Sequence, residues 1–101
     1  MDPEQPDIII SDVVASTAGR DQGKLFYVIG TDPVYLILAN GKDRTLDKPK
    51  RKKRKHVQRV LRPETRVAAK LRTGDKVLNS ELRRDLAFLS REMQGNNLGG
   101  F

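Results

Sequence analysis

The lysines and arginines are the residues of this sequence with the clearest chemical potential. The stretch DKPKRKKRKHVQR, residues 47–59, carries eight cationic side chains and one acidic side chain. Of the 20 basic and 13 acidic residues in the chain, eleven basic and two acidic ones lie between Lys42 and Arg62, so this block has a net charge of plus nine. The remainder has a net charge of minus two. Concentrated cations favour a polyanion, because each cation that neutralises a phosphate also releases condensed counterions. The charge pattern predicts nucleic acid as the partner class.

No arrangement of residues in the sequence suggests catalysis. There is no GKS phosphate loop, no cysteine nucleophile, and no carboxylate pair beside the one histidine, His56. Six consecutive cations precede His56, and their charge repels a metal. We therefore expect no enzyme activity, cofactor, metal or small-molecule substrate, and we expect His56 to lie near the polyanion.

Length and composition limit the possible folds and the possible cellular compartments. A chain of 101 residues that is 37% hydrophobic can build one small core, and with aromatics at 5% that core must consist mainly of Val, Ile and Leu. The absence of cysteine fits a reducing compartment. The start, MDPEQPD, is acidic and contains prolines, unlike a secretory signal, and the longest apolar run, VYLILA, falls far short of the roughly 20 residues of a membrane span. These features predict a cytoplasmic protein that does not act at a membrane.

Short β-branched and apolar segments predict about five antiparallel strands with short connections. The segments are SDVVAST (11–17), KLFYVIG (24–30), VYLILAN (34–40), KDRTLDK (42–48) and KHVQRVL (55–61). In the second segment, Leu25, Tyr27 and Ile29 alternate with Phe26 and Val28, so both faces of that strand should be covered.

The cationic run at residues 50–55 lies between the last two predicted strands. A run tethered at both ends presents its charges at a fixed place, so we interpret it as part of a folded surface. Pro49 and like-charge repulsion should keep the run extended and mobile until a partner binds. We also expect replacement of all six cations by glutamine to leave the fold intact. Two other interpretations remain, a solvated lysine loop and a nuclear-localisation string, which any polycation resembles.

The segment DVVASTAGRDQGKLFYVIGTD, residues 12–32, resembles a KOW motif, the strand–glycine turn–strand element of ribosomal proteins and transcription elongation factors. A third strand, an NGK turn and KPKRKKRKH follow, as in the KOW-type large-subunit ribosomal proteins of archaea and eukaryotes and their small bacterial relatives. The resemblance covers roughly residues 10–60 and does not extend past Pro63. It implies an SH3-like barrel of about five strands that binds RNA, with the glycine turn and the basic loop at or near the RNA.

Individual residues can be assigned on this basis. Gly19 and Gly23 should supply the backbone geometry of the turn. Arg20 and Lys24 flank that turn, where backbone amides and two cations would hold a phosphate, although an ordinary hairpin with solvated charges is an equal alternative. Tyr27 and Tyr35 are candidates for base stacking or, with more support, for the core. The candidate RNA-binding residues are Arg20, Lys24, Lys48, Lys50, Arg51, Lys52, Lys53, Arg54, Lys55, His56 and Arg59.

Two helices are predicted after the strands. PETRVAAKLRTG should form a short helix that begins at Pro63 and ends before Gly74. The second helix, residues 80–93 with Asn79 as its cap, repeats leucines at helical spacing. Phe88 falls off that leucine stripe. It is a candidate protein contact, with coverage by neighbouring structure as the alternative.

The sequence thus predicts a flexible acidic N-terminus (1–9), a mainly β domain with an SH3-like barrel (10–61), a helical C-terminal appendage (62–94) and a flexible tail (95–101). The functional hypothesis is a non-catalytic RNA-binding protein associated with the ribosome or rRNA, or with another structured RNA, in translation. The competing hypothesis is a protein-interaction module of the translation or transcription machinery, in which the basic run is auxiliary.

Overall fold

Within residues 7–99, five antiparallel strands form one sheet, which two helices follow in the chain. The structure is a computed structural model that describes residues 7–99, with side chains described as far as Gln94. The sheet order is β4-β3-β2-β1-β5, so β4 and β5 are its two edges. The fold is therefore mainly β with a helical C-terminal part, as predicted. The elements are β1 Val13–Ser16, β2 Leu25–Thr31, β3 Tyr35–Ala39, β4 Lys50–Lys53, a 3₁₀ turn Arg54–His56, β5 Val57–Leu61, α1 Arg66–Thr73 and α2 Asn79–Gly99.

The sheet is strongly curled. In a flat sheet, five strands about 4.8 Å apart would put the two edges roughly 19 Å from each other. The connection from Lys53 at the end of β4 to Val57 at the start of β5 is one 3₁₀ turn, and four residues span at most about 14 Å even when fully extended. The two edges must therefore approach each other, although β4 and β5 do not pair within the described residues.

Both faces of the curled sheet are buried, which confirms the alternation predicted for the second strand. The inner face carries an apolar cluster that includes Phe26 and Val28. The outer face carries a second cluster, in which Tyr27 packs with Leu82 and Leu86 of α2 and with residues of α1. The helices thus cover the outer face near β1 and β2, and the curl of the sheet encloses the inner face.

The predicted fourth strand is misplaced. Residues 42–48 form a turn with a single isolated bridge between Thr45 and Lys48, and the cationic run itself supplies β4. The Asn40 side chain accepts hydrogen bonds from the backbone amides of Lys42 and Arg44 at 2.9 and 3.0 Å, which fold this segment back on itself. The run is therefore an ordered edge strand rather than the mobile loop that like-charge repulsion predicted.

The helix boundaries differ from the predicted ones. The hydroxyl of Thr65 accepts a hydrogen bond from the Ala68 amide and caps α1, so Pro63 precedes the helix instead of opening it. The second helix continues to Gly99, past its predicted end at 93, so most of the predicted tail is helical. Neither helix of the described part of the chain has the long apolar stretch that a membrane span requires.

The N-terminal boundary of the fold also lies earlier than predicted. Ile8 is buried in the inner cluster, and the Ile9 amide donates to the Asp12 carboxylate at 2.9 Å. Asp12 is fully buried and pairs with Arg62 at 2.7 Å. Residues 8 and 9 are thus fixed by the folded domain, while residues 1–6, 100 and 101 lie outside the described part of the chain.

Candidate nucleic-acid interface

The cations of β4 divide between the two faces of the sheet. Lys52 lies directly opposite Leu36 of β3, and Leu36 belongs to the inner apolar cluster. Opposed residues in a sheet share a face and successive residues alternate. Lys50 and Lys52 therefore face inward, whereas Arg51 and Lys53 face outward.

Lys52 is held inside the molecule by the glycine turn, residues 16–24. Its ammonium donates to the Ala18 carbonyl at 2.6 Å and to the Asp21 carboxylate at 2.8 Å, and its side chain is only 9% exposed. Ser16 Oγ donates to the same Asp21 oxygen at 2.9 Å. Burial by itself raises the pKa of Asp21, but the hydrogen bonds from Lys52 and Ser16 and the charge of Lys50 outweigh burial and hold this pKa well below its usual range. Lys52, a candidate RNA contact from the sequence, thus neutralises a carboxylate of its own chain.

The outward side of β4 combines cations with an aromatic ring. Arg51 and Lys53 are exposed, and the Arg51 guanidinium lies 3.7 Å from the centre of the Tyr35 ring. A guanidinium stacked on a half-buried tyrosine forms a flat, charged platform of the kind on which bases stack. Tyr27 offers no such platform. Its ring is fully buried and its hydroxyl donates to Asp85.

The 3₁₀ turn after β4 fixes three more candidate residues. The Arg54 amide donates to the Val34 carbonyl at 2.9 Å, and Arg54 Nε donates to the Asp32 carbonyl at 2.8 Å. The carbonyl of His56 accepts a hydrogen bond from the Thr17 amide at 2.9 Å. Hydrogen bonds thus connect the 3₁₀ turn both to the segment between β2 and β3 and to the glycine turn. The Lys55 side chain is exposed and that of His56 is partly buried. Of these three, Lys55 is the most accessible to a ligand.

The glycine turn has the backbone geometry predicted for it. Gly19 and Gly23 have φ of +84° and +89°, in the left-handed region that favours glycine. The amides of Gln22, Gly23 and Lys24 all donate to carbonyls within the turn, at 2.8 to 3.2 Å. These three amides are consequently not free to hold a phosphate.

A polar pocket of about 330 Å³ opens beside the glycine turn. Lys24 pairs with Asp43 across it at 2.6 Å, and this pairing lowers the pKa of the Asp43 carboxyl. Arg20 and Arg44 are exposed and form no ion pair among the described residues. The pocket wall is therefore net positive. It consists of Arg20, Asp21, Lys24, Phe26, Asp43, Arg44 and Lys50.

Arg44 is a cation of this pocket that is not among the candidates from the sequence. The sequence pattern predicts a strand for residues 42–48, whereas Arg44 lies in a tight turn in which its carbonyl accepts hydrogen bonds from the amides of Asn40 and Gly41. The Asn40–Gly41 pair is itself a turn signal. A predicted turn that continued through residue 44 would have placed Arg44 close to the start of β4.

The candidate residues form two groups, one on each face of the edge strand β4. Arg20, Lys24 and Lys50 meet with Arg44 in the pocket, and Arg51 and Lys53 lie on the other face of β4. Lys48 lies exposed in the turn before β4 and Arg59 partly buried on β5, and neither lines the pocket.

Phe88 lies on α2, away from these groups, and is 47% exposed. Neighbouring structure therefore covers it only in part. Leu82, Leu86 and Leu89 on the same helix are buried, as the leucine stripe predicted.

In comparisons with known proteins, no protein-family model matches the chain and no curated protein matches it. What the site can do therefore follows from the charge, burial and geometry of its own residues.

Proposed function

We propose that this protein binds RNA without catalysing a reaction, through a surface built on β4 and the glycine turn. The observation that carries the proposal is the Lys52–Asp21 interaction, which fixes the most cationic segment of the chain as an ordered edge strand. A polyanion that binds an ordered strand does not bear the entropic cost of ordering a loop. The cations on the two sides of that strand then act from defined positions.

The roles of the cations follow from their accessibility. Arg51, Lys53 and Lys55 contact phosphates on the outward side, where the platform of Arg51 stacked on Tyr35 can also stack with an unpaired base. Arg20 and Arg44 contact phosphate at the pocket. Lys52 has a structural role and makes no RNA contact.

The curled sheet supports an SH3-like barrel of the KOW type as the finer description of the fold. Its two edges are joined by a single 3₁₀ turn, and its inner face has its own apolar cluster. The choice of RNA over DNA, an rRNA or other structured RNA as the ligand, and a role with the ribosome in the cytoplasm are proposed from the resemblance of residues 10–60 to KOW-type ribosomal proteins.

A matched pair of lysine variants tests the location of the surface. Lys53 lies on β4 and Lys76 lies between α1 and α2, and both are exposed. Binding of a fluorescent RNA hairpin is measured for the parent, Lys53→Gln and Lys76→Gln between about 50 and 200 mM salt. Loss of one phosphate contact should reduce the slope of log affinity against log salt by roughly 0.7 to 0.9. The proposal expects that loss for Lys53→Gln only.

Two outcomes count against the proposal. Equal changes in the two variants would mean that the protein binds RNA through its overall charge. Absence of hairpin binding at 50 mM salt would exclude RNA binding through this surface. A DNA hairpin of the same sequence is the control for RNA preference and should bind more weakly.

A further inference from the structure

A groove between α1 and α2 combines apolar and cationic side chains on the helical part of the molecule. It has a volume of about 430 Å³. Phe88 and Val67 are its two apolar residues, and nearly half of the Phe88 side chain is exposed. The other lining residues are charged: Arg66, Glu81, Arg84, Asp85 and Arg91.

The two carboxylates of the groove are bound within the chain. Asp85 accepts hydrogen bonds from the hydroxyls of Tyr27 and Thr65, the latter at 2.8 Å. Burial and the neighbouring Asp85 raise the pKa of Tyr27, so its hydroxyl stays protonated and able to donate. Glu81 accepts from Lys70 Nζ at 2.8 Å and from the Leu78 amide at 2.9 Å. Neither carboxylate forms an ion pair with an arginine of the groove.

The three guanidinium groups differ from these carboxylates. Arg66, Arg84 and Arg91 form no ion pair with the described residues. Arg84 precedes Phe88 by four positions and Arg91 follows it by three, so both lie beside it on the same face of α2. An exposed phenylalanine thus lies beside arginines that have no ion-pair partner in the described part of the chain.

We propose that this groove binds an acidic segment of another protein, which inserts a large apolar side chain against Phe88 and Val67. The carboxylates of that segment pair with Arg66, Arg84 and Arg91. Aromatic residues and arginine are enriched in protein interfaces and carry much of their binding energy. A nucleic acid fits less well, because its phosphate backbone has no apolar side chain to place against the apolar floor of the groove, Val67 and Phe88. This interface does not depend on RNA binding at β4.

Peptide titrations test the proposal. The full chain, labelled with ¹⁵N, is titrated with a synthetic acidic peptide that has glutamates and leucines at helical spacing. A control peptide has each leucine replaced by serine. The leucine peptide should shift the amide signals of Val67, Arg84, Phe88 and Arg91, and Phe88→Ser should weaken its binding at least about tenfold. Arg84→Gln combined with Arg91→Gln should reduce both the affinity and its dependence on salt.

The competing explanations give different results. Equal binding of the serine peptide would overturn the proposal in favour of non-specific charge attraction, and so would the absence of shifts at the groove. An RNA oligonucleotide that shifted the groove signals at lower concentrations than the leucine peptide would overturn it in favour of RNA. Thermal melting checks the fold of each variant. If Phe88→Ser were unfolded, the double arginine variant would decide the question alone, since its two side chains are exposed.

Discussion

The Lys52 ammonium lies 2.8 Å from the Asp21 carboxylate and joins the edge strand β4 to a turn 31 residues earlier in the chain. This pair explains how four consecutive cations form a strand instead of a mobile loop. Lys52, one of the four, is neutralised inside the molecule. Lys50, which faces inward as well, lies 3.5 Å from the other Asp21 oxygen. Arg51, between them, stacks on Tyr35. The repulsion along the run is thus offset by three separate contacts.

Removal of one member of the Lys52–Asp21 pair should destabilise the protein. Asp21→Asn leaves the Lys52 ammonium without its counter-charge in a confined site, and the expected loss in the free energy of unfolding is about 3 kcal/mol, at the lower end for buried pairs because the site lies near the surface. Urea denaturation measures this loss. The double variant Asp21→Leu with Lys52→Met should lose less free energy of unfolding than the single variants Asp21→Leu and Lys52→Met lose in sum. In the double variant no unpaired charge remains. Additive losses would show that the two residues do not interact.

The same pair should make stability depend on pH. The pKa of Asp21 is lower in the folded protein than the value of about 3.9 expected for the unfolded chain. Its stabilising contribution is therefore complete above the unfolded-state pKa and is lost as the pH falls below about 4 towards the folded-state pKa. The parent should lose more stability than Asp21→Asn between pH 5 and pH 2, as measured by urea unfolding at each pH. Parallel curves would exclude Asp21 as the cause. The comparison is needed because the pKa values of Asp43 and Glu81 are lowered as well.

The glycine turn should tolerate asparagine better than valine. A Cβ at Gly23 would have open space around it, so the cost of substitution there comes from its φ of +89° alone. Gly23→Val should destabilise the fold by roughly 1 to 2 kcal/mol or more, and Gly23→Asn by less, because asparagine adopts left-handed geometry more readily. Thermal melting compares the two variants. A valine variant that melted like the parent would contradict this role of Gly23.

The two tyrosines should separate stability from RNA binding. Tyr27→Phe removes a hydrogen bond to Asp85, so it should reduce stability by about 1.5 to 3 kcal/mol and leave RNA affinity unchanged. Tyr35→Leu keeps an apolar side chain at a partly exposed position but removes the stacking surface. It should leave the fold intact and weaken binding of an RNA with an unpaired loop by about 1 to 3 kcal/mol. Fluorescence titration and urea unfolding of both variants check this, and the opposite pattern would remove Tyr35 from the interface.

Local features of the sequence predicted much of the fold. The first three strands, the left-handed glycines and the burial of Tyr27 follow from alternation and turn chemistry within a few residues. The position of β4 did not follow, because lysine and arginine have little strand preference and what stabilises this strand is pairing with β3 and a carboxylate distant in sequence.

The candidate site was predictable as a region but not as a set of roles. Charge counting selects residues 50–55, yet it cannot show that Lys52 faces inward while Arg51 and Lys53 face outward. That distinction depends on the register between β4 and β3. A shift by one residue would turn the inward-facing side chains outward and the outward-facing side chains inward. The inward position of Lys52 also changes what is expected of the variant in which all six cations of residues 50–55 are replaced by glutamine. That variant would lose Lys52, the residue that anchors β4.

The central claim is that the accessible cations around β4 bind RNA phosphates, and the salt dependence of RNA affinity tests it most directly. The variant combines Arg51→Gln, Lys53→Gln and Lys55→Gln and retains Lys52, so it should remain folded and lose only about 0.5 to 1 kcal/mol with the Arg51–Tyr35 contact. Loss of three phosphate contacts should flatten the slope of log affinity against log salt by at most about 2 to 3 units and weaken binding almost uniformly across RNA sequences. A folded triple variant that bound RNA with the affinity and salt slope of the parent would contradict the claim.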